Sequence, residues 1–256
     1  SQIGVTNYVY DYCTTGLMTI ASNLNLNSGG GSNGFFYRVT GAQLKVTGDI
    51  IDGSTITVSG DGLLWLTGTV TTGNWAVGGG ILRTAGTAPS QGLDDSKLTL
   101  SGGAVLESQG TYTRTLNNAS GIAFSTGGGG FSAYDGYFTV DLNTGGTRDA
   151  LAWSSIGNYT LTFGSVYSNN IVEFYDNLDL KGNSTPVTRQ INVIDNPNSL
   201  ADRTKITGAL YTSNTTGLGS IEKTGDGILE LAGANTYNGT TTVTDGTLLV
   251  TGSLDS

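Results

Sequence analysis

The feature that most constrains this chain is a stretch that occurs twice. Gly60-Asp61-Gly62-Leu63-Leu64-Trp65-Leu66-Thr67-Gly68 returns as Gly225-Asp226-Gly227-Ile228-Leu229-Glu230-Leu231-Ala232-Gly233. The likeness runs on. Val77, Gly80, Leu82 and Gly86 correspond to Val243, Gly246, Leu248 and Gly252 after one inserted residue. Each unit reads turn, strand, turn, strand, and the two units lie near 56–86 and 221–252. A weaker echo runs through Leu98-Thr99-Leu100-Ser101-Gly102-Gly103-Ala104-Val105-Leu106. Self-similarity at such a period is the mark of repeat architectures.

Within a unit the side chains alternate with a period of two. In Ile228-Leu229-Glu230-Leu231, residues 229 and 231 share one face and Glu230 points away; in Thr247-Leu248-Leu249-Val250, residues 248 and 250 pair in the same way. The same alternation is read at Ile56/Val58, Leu98/Leu100, Val140/Leu142, Leu161/Phe163, Val172/Phe174 and Ile191/Val193, and no helical period is sustained. Strands this short cannot bury an apolar face alone, so successive units must stack. The expected class is all-β, a β-solenoid with Gly, Asn and Asp in its turns. At about 20 residues per coil and ~4.8 Å between strands, the chain makes about 12 coils, a rod of about 55–60 Å.

Residues 1–40 carry no clear repeat and are rich in aromatics, with Tyr8, Tyr10, Tyr12, Phe35, Phe36 and Tyr37. They are read as a cap on the first coil or as a contact segment, and 41–256 as the solenoid.

Composition removes several function classes. Lys and Arg total 11 with no cluster, and the net charge is −9, so a nucleic-acid groove or an anionic lipid surface is not expected. No apolar run reaches the ~18–20 residues of a membrane helix, and no membrane insertion is expected. His is absent, which excludes a Ser-His-Asp or Cys-His triad and His-based zinc sites. The single Cys13 forbids an internal disulfide and reads as a small buried apolar residue. Ser1 is not an initiator Met and no signal peptide is visible, so the expectation is a mature chain or a piece of a longer one.

The glycine runs at 29–31, 78–80 and 127–130 precede no helix and read as turns rather than phosphate cradles. Paired carboxylates for sugar-bond chemistry would be Asp94/Asp95, Asp176/Asp179 or Asp195/Asp202 with Arg203 nearby. Asp61 and Asp226 recur at equivalent turns, where an Asp between glycines forms the turn more readily than it binds calcium. No cofactor is expected. Asn118, Asn158, Asn183, Asn214 and Asn238 head sequons that an Asn/Thr/Ser-rich chain produces by chance.

The run from Lys223 to Leu248 resembles the passenger-associated repeat of bacterial autotransporters. The matching positions are Lys223, Thr224, Gly225, Gly227, Leu229, Leu231, Gly233, Asn235, Thr236, Tyr237, Gly239, Thr241, Val243, Gly246, Thr247 and Leu248. The segments around Gly128–Phe131, Val140–Leu142 and Ile194–Asn198 are similar to inter-repeat segments of large secreted proteins that carry this repeat. The resemblance implies a right-handed parallel β-helix, extracellular or on the outer surface of a Gram-negative bacterium. It implies no catalytic activity, and no membrane barrel follows the repeat in this sequence.

The expected function is therefore a structural segment of a self-associating filament or stalk, its partners being copies of itself or neighbouring repeats of the same chain. The alternatives are an adhesin for surface glycans and a polysaccharide-active β-helix enzyme. Trp65, in the outward slot that Glu230 fills in the other unit, is the leading contact residue. Tyr8, Tyr10, Tyr12, Phe35, Phe36 and Leu249 are the residues expected at end-to-end contacts, because no charged or Pro-rich cap follows Leu248-Leu249-Val250.

Overall fold

The computed structural model describes residues 2–4, 8–11, 16–26, 34–38, 41–51, 55–71, 73–84, 97–142, 148, 150–180, 185–214 and 217–255. Every strand pairing among them is parallel, and each strand pairs with those one coil before and after it. The fold is a parallel β-helix. A single 3₁₀ turn, Trp153–Ile156, is the only helical element in the described residues.

In the N-terminal half the strands stack on three faces, and the first coils contribute a strand to each. One face stacks Tyr8–Asp11, Gly34–Arg38, Thr55–Ser59, Asn74–Gly78, Leu98–Ser101 and Ile122–Phe124. The second stacks Leu17–Ile20, Gln43–Val46, Leu63–Leu66, Ile81–Thr84, Ala104–Thr113 and Gly129–Asp141. The third holds short strands such as Asn23–Asn25 and Ile50–Ile51. The columns begin within the first forty residues: Tyr8–Asp11 pairs with Gly34–Arg38, and Leu17–Ile20 with Gln43–Val46.

The second face then forks. Opposite Ala104–Thr113 the strand Gly129–Asp141 is in register up to Ser108/Ala133 and resumes at Gly110/Phe138. The surplus residues, Tyr134-Asp135-Gly136-Tyr137, leave the ladder as a bulge, with Asp135 at φ 66°. Beyond it, the first half of Gly129–Asp141 pairs with Leu161–Phe163 and the second half with Ile171–Phe174. Each branch continues through three further strands, to Thr241–Val243 and Thr247–Val250.

Among the described residues the longest path holds ten stacked strands, about 43 Å from first to last at ~4.8 Å each. That is fewer than the dozen coils a uniform 20-residue period gives. The step between stacked residues is 24 from Arg83 to Glu107, widens to 34 from Thr139 to Glu173, and returns to 20 from Ser220 to Thr240. The widened coils carry excursions over the outer surface.

The core is a set of inward columns. Met18, Leu44, Leu64, Leu82, Leu106, Phe131, Phe163 and Val193 oppose one another in succession. All the alternating pairs from Ile56/Val58 to Ile191/Val193 are buried. Each such side chain contributes about 1.5–3 kcal/mol against the entropy of ordering it. Aromatic edges fill the widened coils, with Phe131 against Phe138 and Phe163 against Phe174.

The corners explain the polar half of the repeat. Asn235 accepts the Leu210 N–H at 3.0 Å and donates to Gly233 and Ser253 carbonyls at 2.9 Å, so one buried amide ties three coils. Asn23 and Asn177 accept the N–H of Asp49 and Ala209, one coil on, in the same manner. Beside that corner, backbones approach so closely that only glycine fits. A Cβ on Gly233 would lie 2.3 Å from the Gly208 carbonyl oxygen, and one on Gly252 2.0 Å from that of Gly233.

Candidate functional site: the outward ladders and the last coil

Outward positions of stacked strands also oppose one another, and here they carry charge. On the second face the succession is Thr19, Lys45, Trp65, Arg83, Glu107, Ser132. Trp65 points away from the core, as its alternation requires, and is half-buried. The Lys45 Nζ lies 3.8 Å above the indole and Tyr134 meets it edge-on at 6.0 Å. The indole N–H is buried with no hydrogen-bond partner among the described residues. Leu63, Ile81 and Val105 form a second, outward apolar cluster, against which Trp65 and Tyr167 pack.

Next to Trp65 sits a buried ion pair outside the core. Arg83 and Glu107 are 4% and 0% exposed, and both Nε and Nη2 of Arg83 reach Oε1 of Glu107 at 2.6 Å. The other carboxylate oxygen accepts the Ser132 hydroxyl at 2.7 Å and that of Ser165. The guanidinium stacks 3.4 Å from the Tyr134 ring centre. Two excursions make this burial, the bulge carrying Tyr134 and the segment carrying Ser165 and Tyr167.

The second branch repeats the theme: Thr139, Glu173, Lys205, Glu230 and Leu249 oppose one another. Glu173 accepts Thr139 at 3.1 Å and Thr207 at 2.8 Å. Burial, then the charge and hydrogen bond of Glu173, push the Tyr137 phenol up to about 12. Glu230 takes Arg203 at 3.0 Å, Lys205 at 3.3 Å and Thr251 at 2.8 Å. Burial raises the affinity of Glu230 for a proton, but the hydrogen bonds from Thr251, Arg203 and Lys205 outweigh it and hold the carboxyl below its ordinary range.

A carboxyl that holds its proton less tightly when folded stabilises above the ordinary carboxylate range and loses that contribution as pH falls through its folded value. Glu230→Gln is therefore expected to unfold at lower urea than wild type, with a gap constant above about pH 5 that narrows below about pH 4. Urea titrations at pH 3, 5 and 7 check this; a gap that widens in acid contradicts it.

Lys223 is the inward residue opposite Ile191 and Val243, and it is 0% exposed. Its Nζ donates to the carbonyls of Thr224 at 3.1 Å, Asp245 at 3.0 Å and Gly225. Burial lowers the proton affinity of this amine, against the raising effect of Asp226 and Asp245. The ammonium thus spans two coils, holding its own turn and the next. Tyr237, also buried, shares a hydrogen bond with Thr241.

A known repeat family matches the run that contains Lys223 and Tyr237. Residues 221–250 match the family model of the passenger-associated-transport-repeat. That stretch is an autotransporter passenger repeat. Passenger repeats place a chain among secreted or cell-surface bacterial proteins. The match covers this one stretch of the 256-residue chain. No curated protein and no solved structure matches the chain.

Leu249, outward and opposite Glu230, is 42% exposed on the last coil of the passenger repeat. Phe36 is buried in the core, and Tyr8, Tyr10 and Phe35 lie on the first face. Tyr12, Cys13, Asp94, Asp95 and Asn183 lie outside the described residues. Asp176 accepts the Leu142 N–H at 2.7 Å, Asp179 that of Ser213 at 3.1 Å, and Asp202 that of Asn196 at 2.9 Å. Asp61 and Asp226 stand exposed at equivalent turns beside Gly60 and Gly225, at φ 88° and 75°. Among the described residues no helix is long and apolar enough to cross a membrane, and no cluster of three acidic, His or Cys residues is placed to hold a metal.

Sequence reasoning did not single out Arg83, Glu107, Tyr134 or the inward placement of Lys223. The signal was present in register: Leu63-Leu64-Trp65, Ile81-Leu82-Arg83 and Val105-Leu106-Glu107 share one out-in-out pattern.

Proposed function

We propose that the chain is a structural segment of an extracellular passenger, part of a self-associating filament or stalk. The observation that carries this reading is the unbroken parallel stack, in which both branches of the second face run on in register from coil to coil. An open parallel edge with apolar side chains favours another coil in the same register. A contact between unlike ends does not close on itself, so it propagates into a fibre.

Three of the carboxylates weighed for catalysis support a structural role, because Asp176, Asp179 and Asp202 accept backbone N–H groups. Trp65 supports it as well, since Lys45 and Tyr134 occupy the approaches a sugar ring would need. Electron microscopy of the purified chain is expected to show rods in multiples of one unit length, growing with concentration. Uniform single rods at high concentration overturn the reading.

A further inference from the structure

In a parallel stack the backbone ladder couples each coil to the one before and the one after it, so coils can come off one at a time. A contact that passes over a coil breaks that independence, because the coil between cannot leave while the contact holds. Such contacts gather outside the core along five successive strands of the second face: Leu63–Leu66, Ile81–Thr84, Ala104–Thr113, Gly129–Asp141 and Leu161–Phe163.

Glu107 is where they meet. It takes Arg83 from the coil before at 2.6 Å, the Ser132 hydroxyl from the coil after at 2.7 Å, and the hydroxyl of Ser165, two coils on. All four side chains are buried. Ser165 also accepts the Tyr167 N–H at 3.0 Å, which fixes the excursion that carries it. Arg83 passes over coils as well. Its guanidinium lies 3.4 Å from the ring centre of Tyr134, two coils on, and 5.6 Å from that of Tyr167, three coils on. Tyr134 in turn meets Trp65, three coils back. Farther along, Glu230 reaches Arg203 and Lys205 one coil back and Thr251 one coil on, and Lys223 reaches Asp245 one coil on. Those contacts join adjacent coils, as the ladder already does.

We propose that the outward cluster around Glu107 is a clamp, which makes the five strands from Leu63 to Phe163 and the excursion after them open as one unit. A stack that loses coils from 241–255 inward then stops at that excursion. For a structural segment under load, the clamp sets how much of the rod survives a pull. It stands whether or not the chain self-associates.

Pulling the chain by its two ends in an optical trap tests it. Wild type is expected to lose its last coils in short steps, each of about 70–120 Å of extended chain for the 20–34 residues of a coil. The stretch 63–170 is then expected to leave in one step of about 350 Å. Arg83→Met with Glu107→Leu, an apolar pair that fills the same space, is expected to replace the long step by coil-sized ones, which separates a clamp from burial alone. Ser165→Ala removes a hydroxyl that reaches over a coil and leaves the ladder whole. In wild type the amides of Val105 and Gly164, bonded to Gly80 and Phe131, are expected to exchange through one opening with the same dependence on urea. In Ser165→Ala, Gly164 is expected to exchange at least about 10-fold faster and Val105 at its former rate. Coil-by-coil loss of 63–170 in wild type, a long step that persists in the double variant, or a Ser165→Ala chain in which Gly164 keeps pace with Val105 overturns the proposal.

Discussion

Glu107→Leu is expected to lower stability by about 3–5 kcal/mol, while Arg83→Met together with Glu107→Leu returns most of that loss. Glu107 is fully buried and accepts Arg83, Ser132 and Ser165. Removing it strands a guanidinium that is 4% exposed between Tyr134 and Trp65, where water cannot replace the lost charge. Two apolar side chains of similar length carry no such charge and extend the adjacent cluster of Leu63, Ile81 and Val105. Urea unfolding of wild type, both single variants and the double variant gives the coupling directly. A single-variant loss below about 1 kcal/mol, or a double variant no better than the singles, contradicts the burial described for this pair.

Lys223→Met is expected to loosen the last coil by about 3 kcal/mol, read as a roughly 100-fold faster hydrogen exchange there. Methionine keeps the length and the apolar stem but removes the three N–H donors, so the carbonyls of Thr224, Gly225 and Asp245 lose their shared partner. The amides to watch are Thr244, Thr247 and Thr251, which bond to Lys223, Gly227 and Leu231 one coil back. In a stacked array each coil is held by its neighbours, so the effect stays near residues 241–255 and leaves the amides of Leu63 and Ile81 unchanged. Uniform acceleration along the whole chain, or none, contradicts the role assigned to this ammonium.

The repeating parts of the fold were legible because strand geometry is periodic. Alternation placed Ile56, Val58, Leu161 and Phe163 inward without knowledge of their neighbours. The duplicated Gly-Asp-Gly strand pointed to stacking, and Asn235 and Gly233 belong to corners that the repeat marks. The widened coils were not legible. The bulge at Tyr134–Tyr137 has no repeat to announce it, and it is fixed by tertiary contacts: Tyr134 on Arg83 and Tyr137 on Glu173. A uniform period therefore overcounted the coils.

The outer ladder was half legible. Arg83 and Glu107 occupy the slot of Trp65 once the strands are aligned, but their burial depends on excursions of later coils, 25 and 58 residues beyond Glu107 at Ser132 and Ser165. Lys223 was recognised as a motif residue, and its alternation with Ile221 puts it inward. A charged residue on an apolar face runs against the usual pattern, so its place is explained only by the three carbonyls that receive it.

Coils stacked along the rod axis underlie every contact described, and X-ray diffraction from a flow-aligned solution of the chain tests that stacking most directly. Strands that lie across the axis put the ~4.8 Å reflection along it. The same reflection at right angles to the axis means strands running lengthwise, and the stacked-coil account is then wrong.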